Sequence, residues 1–298
     1  MSTPTVDLNQ LLGYEFPDLH FTYTERDVSL YALGVGAPAN PVDQDELRFV
    51  YERSSEGFRV LPTFAVLFPG KLIDVLISGE LPGLKFNPMM LLHGEQYLEI
   101  KRPIPPAATI TCKPKIKAVY DKGSGALVVT GTPCYDESGS EIAYTESSMF
   151  IRGVGGFGGE RGPSSDINLP PDREPDAIIR ETTSDKQALI YRLSGDINPL
   201  HADPMMAALG NFEKPILHGL CTFGYAGRAV LKTFAQNDPA RFKSIKVRFV
   251  KHVFPGETLI TEMWRESDTP EHAERVIFRV KAAERDVVVL SNAAVELG

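Results

Sequence analysis

The sequence is poor in cysteine, has no excess of positive charge and contains no long hydrophobic run. Its three cysteines, Cys112, Cys134 and Cys221, show no C-x-x-C spacing. This argues against a disulfide scaffold or a zinc site and suits a reducing compartment. The formal net charge of −8 argues against a nucleic-acid partner. No apolar run approaches the ~20 residues that cross a bilayer, so we expect no membrane partner.

Targeting segments are also missing from the two ends of the sequence. The first thirty residues have no basic segment followed by an apolar core, so we expect no secretory signal. The last four residues, Val295 to Gly298, are not a peroxisomal address of the Ser-Lys-Leu type. We therefore expect a protein that is not secreted, either a cytoplasmic protein or one module of a longer peroxisomal chain.

The composition that is present is that of a soluble globular protein, with 43% hydrophobic and 23% charged residues among 298, enough for two modest domains. Capping residues and apolar spacing predict helices at 24–34, 62–78, 184–193 and 219–235, the second broken at Pro69-Gly70. Two sets of four strands are predicted, at 96–101, 109–120, 126–135 and 142–152, and at 243–253, 258–266, 273–283 and 286–296.

The two halves of the chain repeat one order of elements. Tyr31 aligns with Tyr191 at an offset of 160 residues (191 − 31), and Thr109 aligns with Thr258 at an offset of 149 (258 − 109). A slowly drifting offset is typical of duplication followed by small deletions. The order predicts an α+β fold with an internal repeat. Its predicted parts are residues 1–152, a Gly- and Pro-rich linker at 153–175, and residues 176–298.

An acid, an amide and a histidine lie close together in the second half. Asp196, Asn198 and His201 fall on a segment that cannot be regular helix, because Pro199 pushes Asn198 towards an extended conformation. The first half has a glycine and a proline at the positions aligned with the acid and the histidine. A second connection ends at Gly219, where a long apolar helix begins, and the free N–H groups of that helix can hold a developing oxyanion.

The run from Tyr191 to Leu220 resembles the type-2, R-specific enoyl-CoA hydratases of the MaoC-like hot-dog family. Matching positions are Tyr191, Leu193, Ser194, Gly195, Asp196, Asn198, Pro199, Leu200, His201 and Ala207. The likeness extends along nearly the whole chain and is closest to the hydratase modules of the peroxisomal multifunctional enzymes of type 2. It implies a double hot-dog fold, in which two tandem sheets each wrap a helix. It also implies a homodimer that hydrates trans-2-enoyl-CoA to (3R)-3-hydroxyacyl-CoA in fatty acid β-oxidation.

This resemblance assigns a role to each candidate site residue. Asp196 and His201 share one water and handle both proton transfers, Asn198 positions the water or His201, and the Gly219 N–H stabilises the charge on the thioester oxygen. Substrate contacts implied by the family are His93, Gly94, Lys122 and Phe249. Of these, Lys122 is expected on the CoA phosphates. The acyl-CoA substrate is the only ligand implied, and no cofactor is expected.

Other sites and functions have weaker support in the sequence. The G-x-G-x-x-G run at 153–158 is not followed by a helix, so a dinucleotide site is rejected. His20, His252 and His272 have no metal-ligand spacing, so no metal is predicted. Three alternatives stay open: a (3R)-hydroxyacyl dehydratase acting on CoA or acyl-carrier protein, a non-catalytic acyl-CoA-binding subunit, and a thioesterase. The last needs a nucleophile on the central helix, where only Cys221 and Thr222 stand.

Overall fold

The computed structural model describes residues 6–76, 78, 80–163, 167–269 and 272–298. The α-helices are α1 (Leu8–Leu11), α2 (Glu25–Gly34), α3 (Gln44–Leu47), α4 (Leu72–Leu76), α5 (Gln187–Tyr191), α6 (Pro204–Leu209) and α7 (Gly219–Ala235). Short 3-10 helices are formed by Pro62–Leu67, Pro88–Met90, Arg192–Ser194, Pro199–His201, Pro239–Arg241 and Ala283–Arg285. Within the described residues, no helix is long and apolar enough to cross a membrane.

Antiparallel strands make up most of the remaining structure. In the first half they are β1 (Leu19–Tyr23), β2 (Glu80–Leu81), β3 (Leu84–Lys85), β4 (Leu91–Ile100), β5 (Ala108–Cys112), β6 (Lys115–Asp121), β7 (Gly125–Tyr135) and β8 (Glu141–Arg152). In the second half they are β9 (Ala177–Thr182), β10 (Phe242–Phe249), β11 (Thr258–Thr269), β12 (His272–Ala282) and β13 (Val287–Leu297).

The main sheet has eleven strands and an internal symmetry. Its order is β1-β5-β7-β8-β4-β10-β13-β12-β11-β9, with β6 also paired to β7. The first five strands come from the first half and the last five from the second half. Across the sheet, the strands of the first half run from the edge strand β1 to β4, and those of the second half run from the edge strand β9 to β10. The two halves meet where β4 pairs with β10, which we call the central seam. Two sheets joined edge to edge in this way form the double hot-dog predicted from the sequence.

The central helix of the second half is α7, whose bounds match the prediction. Its apolar residues are nearly all buried, and its glycines permit close contact with the first half. A Cβ atom at Gly224 would lie 2.4 Å from Val35 Cγ1, and one at Gly227 would lie 2.5 Å from Thr63 Cγ2. Larger side chains at these two positions would therefore push α7 away from the first half.

The corresponding helix of the first half is interrupted, as its Pro69-Gly70 pair predicts. The chain forms a 3-10 helix over Pro62–Leu67 and resumes as the short helix α4. Proline has no N–H to donate and its ring clashes with the preceding turn of a helix, so the long helix is interrupted. The 3-10 segment is fully buried, and Phe64 packs edge-on against Tyr23 at 4.9 Å between ring centroids.

The sheet differs from the sequence-based prediction in several places, among them β4, which begins at Leu91 and not at 96, and β10, which ends at Phe249 and not at 253. The edge strands β1 and β9 are absent from the prediction, because each is only five or six residues long and lies far in sequence from the strand that it pairs with. The single strand predicted at 109–120 is two strands, β5 and β6. They are separated at Lys113-Pro114, because a proline cannot donate to the sheet ladder.

A buried ion-pair network joins α7 to both halves. The Arg228 guanidinium donates to Glu46 Oε1 on α3 at 2.8 Å and to Glu181 on β9, and its Nε donates to the carbonyl of Val35 at 3.2 Å. The Arg228 and Glu46 side chains are 2% and 0% exposed. Glu46 also accepts the N–H of Ala39 at 2.8 Å. Charges removed from water this completely stabilise the fold only while they stay paired.

Candidate active site

The segment that carries the acid and the histidine is irregular, and local side-chain hydrogen bonds hold it. Gly195 ends the preceding 3-10 helix with φ 124°, a conformation that favours glycine. Asp196 Oδ1 accepts the N–H of Asn198 at 3.2 Å, and Asn198 Oδ1 accepts the N–H of Leu200 at 3.1 Å. Asn198 therefore caps the 3-10 turn of Pro199–His201, so its amide oxygen positions His201 through the backbone.

Asp196 and His201 lie within reach of a common water molecule. A carboxylate oxygen of Asp196 and one ring nitrogen each of His201 and His218 lie within 4.8 Å of one another. One water makes hydrogen bonds of ~2.8 Å in several directions, so it can bridge groups at this separation. The Nδ1 of His201 lies 2.9 Å from the carbonyl of Ile216. Because a carbonyl only accepts, Nδ1 carries the hydrogen and Nε2 is the basic nitrogen.

His218 is a member of this cluster that the sequence analysis did not single out. Its side chain is 1% exposed, and its ring stacks on that of His201 with centroids 3.8 Å apart and an interplanar angle of 28°. The lone pairs of stacked imidazoles lie in nearly parallel planes, so they do not converge on one ion. The geometry is therefore unsuited to a metal shared by both rings. The sequence signal was a histidine directly before the glycine that opens a helix.

The helix α7 begins directly after His218, a member of the cluster. Gly219 is exposed, although its neighbour His218 is buried. The first N–H groups of a helix have no partner within it and carry its partial positive charge. A Cβ atom at Gly219 would lie only 3.0 Å from Phe249 Cε1. The glycine thus leaves its N–H open to a ligand while Phe249 packs beside it.

Residues of the central seam complete this side of the site. His93 on β4 lies 4.7 Å from Phe249 at the end of β10, measured between ring centroids. The β4–β8 register shifts between His93 and Glu95, which places a bulge at Gly94 and turns the strand locally. Burial lowers the pKa of His93 to about 4, so the ring is neutral. Its Nε2 is buried and has no partner among the described residues.

Lys122 lies apart from the acid–histidine pair. Leu91 on β4 pairs with Ile151 on β8, which pairs with Ala126 on β7, which in turn pairs with Asp121 at the end of β6. Lys122 is therefore at the same end of the sheet as His93 but three strands away, roughly 14 Å at the usual strand spacing. Its Nζ donates to the carbonyl of Arg161.

The glycine-rich run at 153–158 binds a carboxylate of the protein itself. Asp121 accepts the N–H groups of Gly123, Gly156 and Gly158 at 2.8, 2.9 and 2.9 Å. These hydrogen bonds lower the pKa of Asp121 and fold the run around the β6–β7 turn. The run is therefore a structural loop rather than a seat for a pyrophosphate.

The candidate nucleophiles of a thioesterase are buried in α7. Cys221 is 0% exposed and Thr222 is 2% exposed. Burial raises the pKa of the Cys221 thiol well above its usual value, which disfavours the reactive thiolate. The Cys221 Sγ also lies 3.2 Å from the carbonyl of Gly34. The helix thus offers no accessible nucleophile at either position.

Charge and burial together set the protonation of His201. Burial lowers its pKa below 6.5, and the nearby Asp196 charge and the hydrogen bond to Ile216 offset part of this effect. The ring is therefore neutral at pH 7 and able to accept a proton at Nε2. Burial lowers the pKa of His218 further, to about 2, with the neighbouring His201 as the second cause.

We expect the two buried neutral histidines to make the fold acid-sensitive. The pKa of His93 falls from 6.5 to about 4 and that of His218 from 6.5 to about 2. Below pH 6.5 the unfolded chain binds protons that the folded chain does not, so stability is lost as pH falls. Between pH 7.5 and 5 each histidine should lower the free energy of unfolding by about 2 kcal/mol.

Urea unfolding at both pH values measures this loss. His93→Gln should remove about half of it, whereas His20→Gln, at an exposed position, should leave it unchanged. Equal unfolding free energies for the wild type at pH 7.5 and 5 would contradict the expectation.

Comparison with known proteins places both halves in characterised families. Residues 21–153 match the family described as "MFE-2 hydratase 2 N-terminal domain", and residues 166–287 match the "MaoC like domain". The chain is 47% identical to the "Probable enoyl-CoA hydratase 2" of Dictyostelium discoideum, over 97% of this chain and 95% of that protein.

Two further relatives agree with these matches. The chain is 48% identical to the "Peroxisomal multifunctional enzyme type 2" of Mus musculus over 96% of its length, but it spans only 38% of the mouse protein. A crystal structure of a "MaoC-like dehydratase" from Phytophthora capsici superposes with a TM-score of 0.88 and 38% identity, covering 98% of both chains. The fold and the family expected from the sequence are thereby confirmed. The chain belongs to the MaoC-like hydratase 2 family, with its two hot-dog units in tandem.

Proposed function

We propose that the protein is a hydro-lyase that adds water to trans-2-enoyl-CoA and forms (3R)-3-hydroxyacyl-CoA in fatty acid β-oxidation. One observation carries the proposal: Asp196 and His201 lie within reach of one water, next to the exposed first residue of α7. The names of relatives called enoyl-CoA hydratase 2 support the same activity. Dehydration of a (3R)-hydroxyacyl thioester is the same reaction in reverse and would use the same groups.

The residues of the site suit the steps of this reaction. A water held between Asp196 and His201 loses a proton to one of them as its oxygen bonds to C3 of the enoyl group. The negative charge that develops on the thioester oxygen is stabilised by the N–H of Gly219. A proton then passes to C2 from the same face, which completes a syn addition of water. Each proton transfer typically contributes ~10²–10⁴ to the rate.

The substrate is proposed to lie along the end of the sheet at which His93 and Lys122 are both found. His93, Gly94 and Phe249 line the side of the site next to Gly219, where the thioester would bind. From there the CoA chain would run across the sheet towards Lys122, whose ammonium suits a phosphate. The Nζ of Lys122 would then exchange the carbonyl of Arg161 for a phosphate oxygen.

The first repeat, residues 1–152, is proposed to accommodate the acyl chain, while residues 176–298 carry the catalytic groups and 153–175 link them. The interruption between Leu67 and Leu72 supports this division, because a broken helix leaves room that an intact one would fill. We expect turnover of trans-2-decenoyl-CoA and longer substrates. Activity confined to crotonyl-CoA, with four acyl carbons, would rule out the acyl-chain role.

A homodimer and a peroxisomal location are also proposed for this chain. The location is supported by the printed names of its relatives. Size-exclusion chromatography with light scattering would test the dimer, and fluorescence microscopy of the tagged protein would test the location.

Incubation with trans-2-decenoyl-CoA, followed by chiral analysis of the product, tests the proposed function. The expected product is (3R)-3-hydroxydecanoyl-CoA, formed without release of free CoA. A (3S) product would overturn the stereochemical assignment, and release of free CoA would indicate a thioesterase. Tight binding of the substrate without turnover would instead identify a non-catalytic acyl-CoA-binding protein.

A further inference from the structure

His218 contacts both proposed catalytic residues without being open to the substrate. Its ring stacks on His201 at 3.8 Å, and its Nε2 lies 3.2 Å from the backbone carbonyl of Asp196. The side chain is 1% exposed, whereas Asp196 and His201 are half-buried. A single buried side chain thus contacts both members of the pair that handles the water.

The hydrogen bonds of the two rings fix their tautomers. The carbonyl of Asp196 can only accept, so the Nε2 of His218 carries the hydrogen and its Nδ1 bears the lone pair. That Nδ1 is buried and has no partner in the described part of the chain. The Nδ1 of His201 donates to Ile216 in the same way. Each neutral ring is therefore held in one tautomer and oriented by a different backbone carbonyl.

Neighbouring elements hold His218 firmly. It precedes the first residue of α7, and its carbonyl accepts the N–H of Cys221 at 3.1 Å. The preceding N–H, of Leu217, donates to the carbonyl of Val253 at 2.7 Å. The ring of Tyr191 packs against that of His218 at 4.9 Å between centroids. The start of α7, the loop that carries Val253 and the Tyr191 ring thereby hold the His218 ring in place.

We propose that His218 is a positioning residue of the hydration reaction, a neutral ring that sets the plane of His201 by stacking and the path of the backbone at Asp196 by its Nε2–H. Stacking prevents His201 from rotating about its bond to the chain, so Nε2 stays directed at the water. The hydrogen bond to the Asp196 carbonyl fixes the point from which the carboxylate extends. Catalysis is sensitive to both, because misplacement by ~1 Å can cost about 100-fold in rate.

The His218 ring covers one face of the His201 ring, and this burial also affects the pKa of His201. The charged and titratable groups that act on the two rings are the Asp196 carboxylate, the Arg192 guanidinium on His218, and the rings themselves. Loss of the His218 ring would admit water to the face of His201 that it covers. Because burial is what lowers the pKa of His201, its pKa would then rise towards 6.5.

Two variants separate the two contacts of His218. His218→Gln keeps a donor but loses the ring, so the pKa of His201 should rise, and kcat should fall roughly 10- to 100-fold with KM changed less than threefold. His218→Phe keeps the stacking ring but loses the donor, so kcat should fall while the pKa of His201 stays near its wild-type value. His20→Gln is the matched control and should change neither.

The experiment is an NMR titration of the histidine ring nitrogens in the full chain, together with the pH profile of kcat/KM. A His218→Gln protein with wild-type kcat and wild-type His201 titration would overturn the proposal, and so would loss of kcat with an unmoved titration. If His218→Gln does not fold, the wild-type spectrum decides. His218 should be a neutral Nε2–H tautomer from pH 5 to 8, and an Nδ1–H tautomer or titration in this range overturns the proposal.

The inference rests on the proposed roles of Asp196 and His201, but its failure can be told apart from theirs. The NMR measurement needs no turnover, so it tests the stacking and the tautomers even in an inactive protein. Absence of hydration by the wild type would defeat the proposed function alone. A wild-type rate with a mobile or charged His218 would defeat the positioning role alone.

Discussion

Asp196→Asn and His201→Gln should each lower kcat by about 10²- to 10⁴-fold while leaving the fold intact. Each change removes a group that holds the attacking water or transfers its proton, and single general acid–base groups contribute ~10²–10⁴ to the rate. Both side chains are half-buried at the edge of the site, so little packing is lost. Steady-state hydration of trans-2-decenoyl-CoA, followed by absorbance of the enoyl thioester, measures the effect.

The double variant provides a sharper test than either single change. If both residues act on one water, Asp196→Asn/His201→Gln should be scarcely slower than the slower single variant, because groups that act as a unit are not additive. Asp18→Asn and His20→Gln, at exposed positions of the first half, should keep wild-type rates. Fully multiplicative losses in the double variant would contradict the shared water.

The pH dependence of kcat/KM should also differ between Asp196→Asn and the wild type. The charge of Asp196 raises the pKa of His201 against the larger lowering by burial. Removing that charge lowers the pKa further, so the acidic limb of kcat/KM should shift to lower pH than in the wild type.

Arg228→Met should destabilise the protein by about 3–5 kcal/mol, the usual cost of breaking a buried ion pair from one side. Glu46, which is 0% exposed, would lose its 2.8 Å partner and keep only Lys232, whose Nζ lies 3.4 Å from its other carboxylate oxygen, as a compensating charge. Urea unfolding followed by circular dichroism measures the change in unfolding free energy.

Two further variants set the scale for that loss. Arg228→Met/Glu46→Leu removes the two most deeply buried charges and should recover part of the stability, because apolar side chains can replace a buried pair, while Glu181, the 15% exposed partner, stays charged. Lys101→Met breaks a partly exposed pair with Glu99, at 40% and 33% exposure, and should cost less than about 1 kcal/mol. A loss of under 1 kcal/mol for Arg228→Met would contradict the assigned role of the network.

The sequence predicts the long, strongly patterned elements well and the edges of the sheet poorly. The apolar spacing of α7 and its opening glycine give both of its ends, and the Pro69-Gly70 pair gives the break in the first half. The strands β1 and β9 escape prediction because five or six residues are too short a run to tell a strand from an extended loop. Their positions follow from pairing with β5 and β11, which are distant in sequence.

In the candidate site, likewise, contacts between residues close in sequence could be predicted and contacts between distant residues could not. Asp196, Asn198 and His201 lie within six residues, so their proximity can be read from the sequence. The contact between His93 and Phe249 depends on the pairing of β4 with β10 across the seam, which no local pattern encodes. The role of His218 could not be predicted from the sequence, because its contact with His201 depends on the path of the loop between α6 and α7.

A crystal structure of the protein with bound (3R)-3-hydroxydecanoyl-CoA is the most direct test of a single water-handling site beside α7. We predict the C3 hydroxyl within hydrogen-bond distance of both the Asp196 carboxylate and His201 Nε2, with the thioester oxygen on the N–H of Gly219. A product bound with its hydroxyl away from these two side chains, or with its thioester away from the start of α7, would contradict the proposed site.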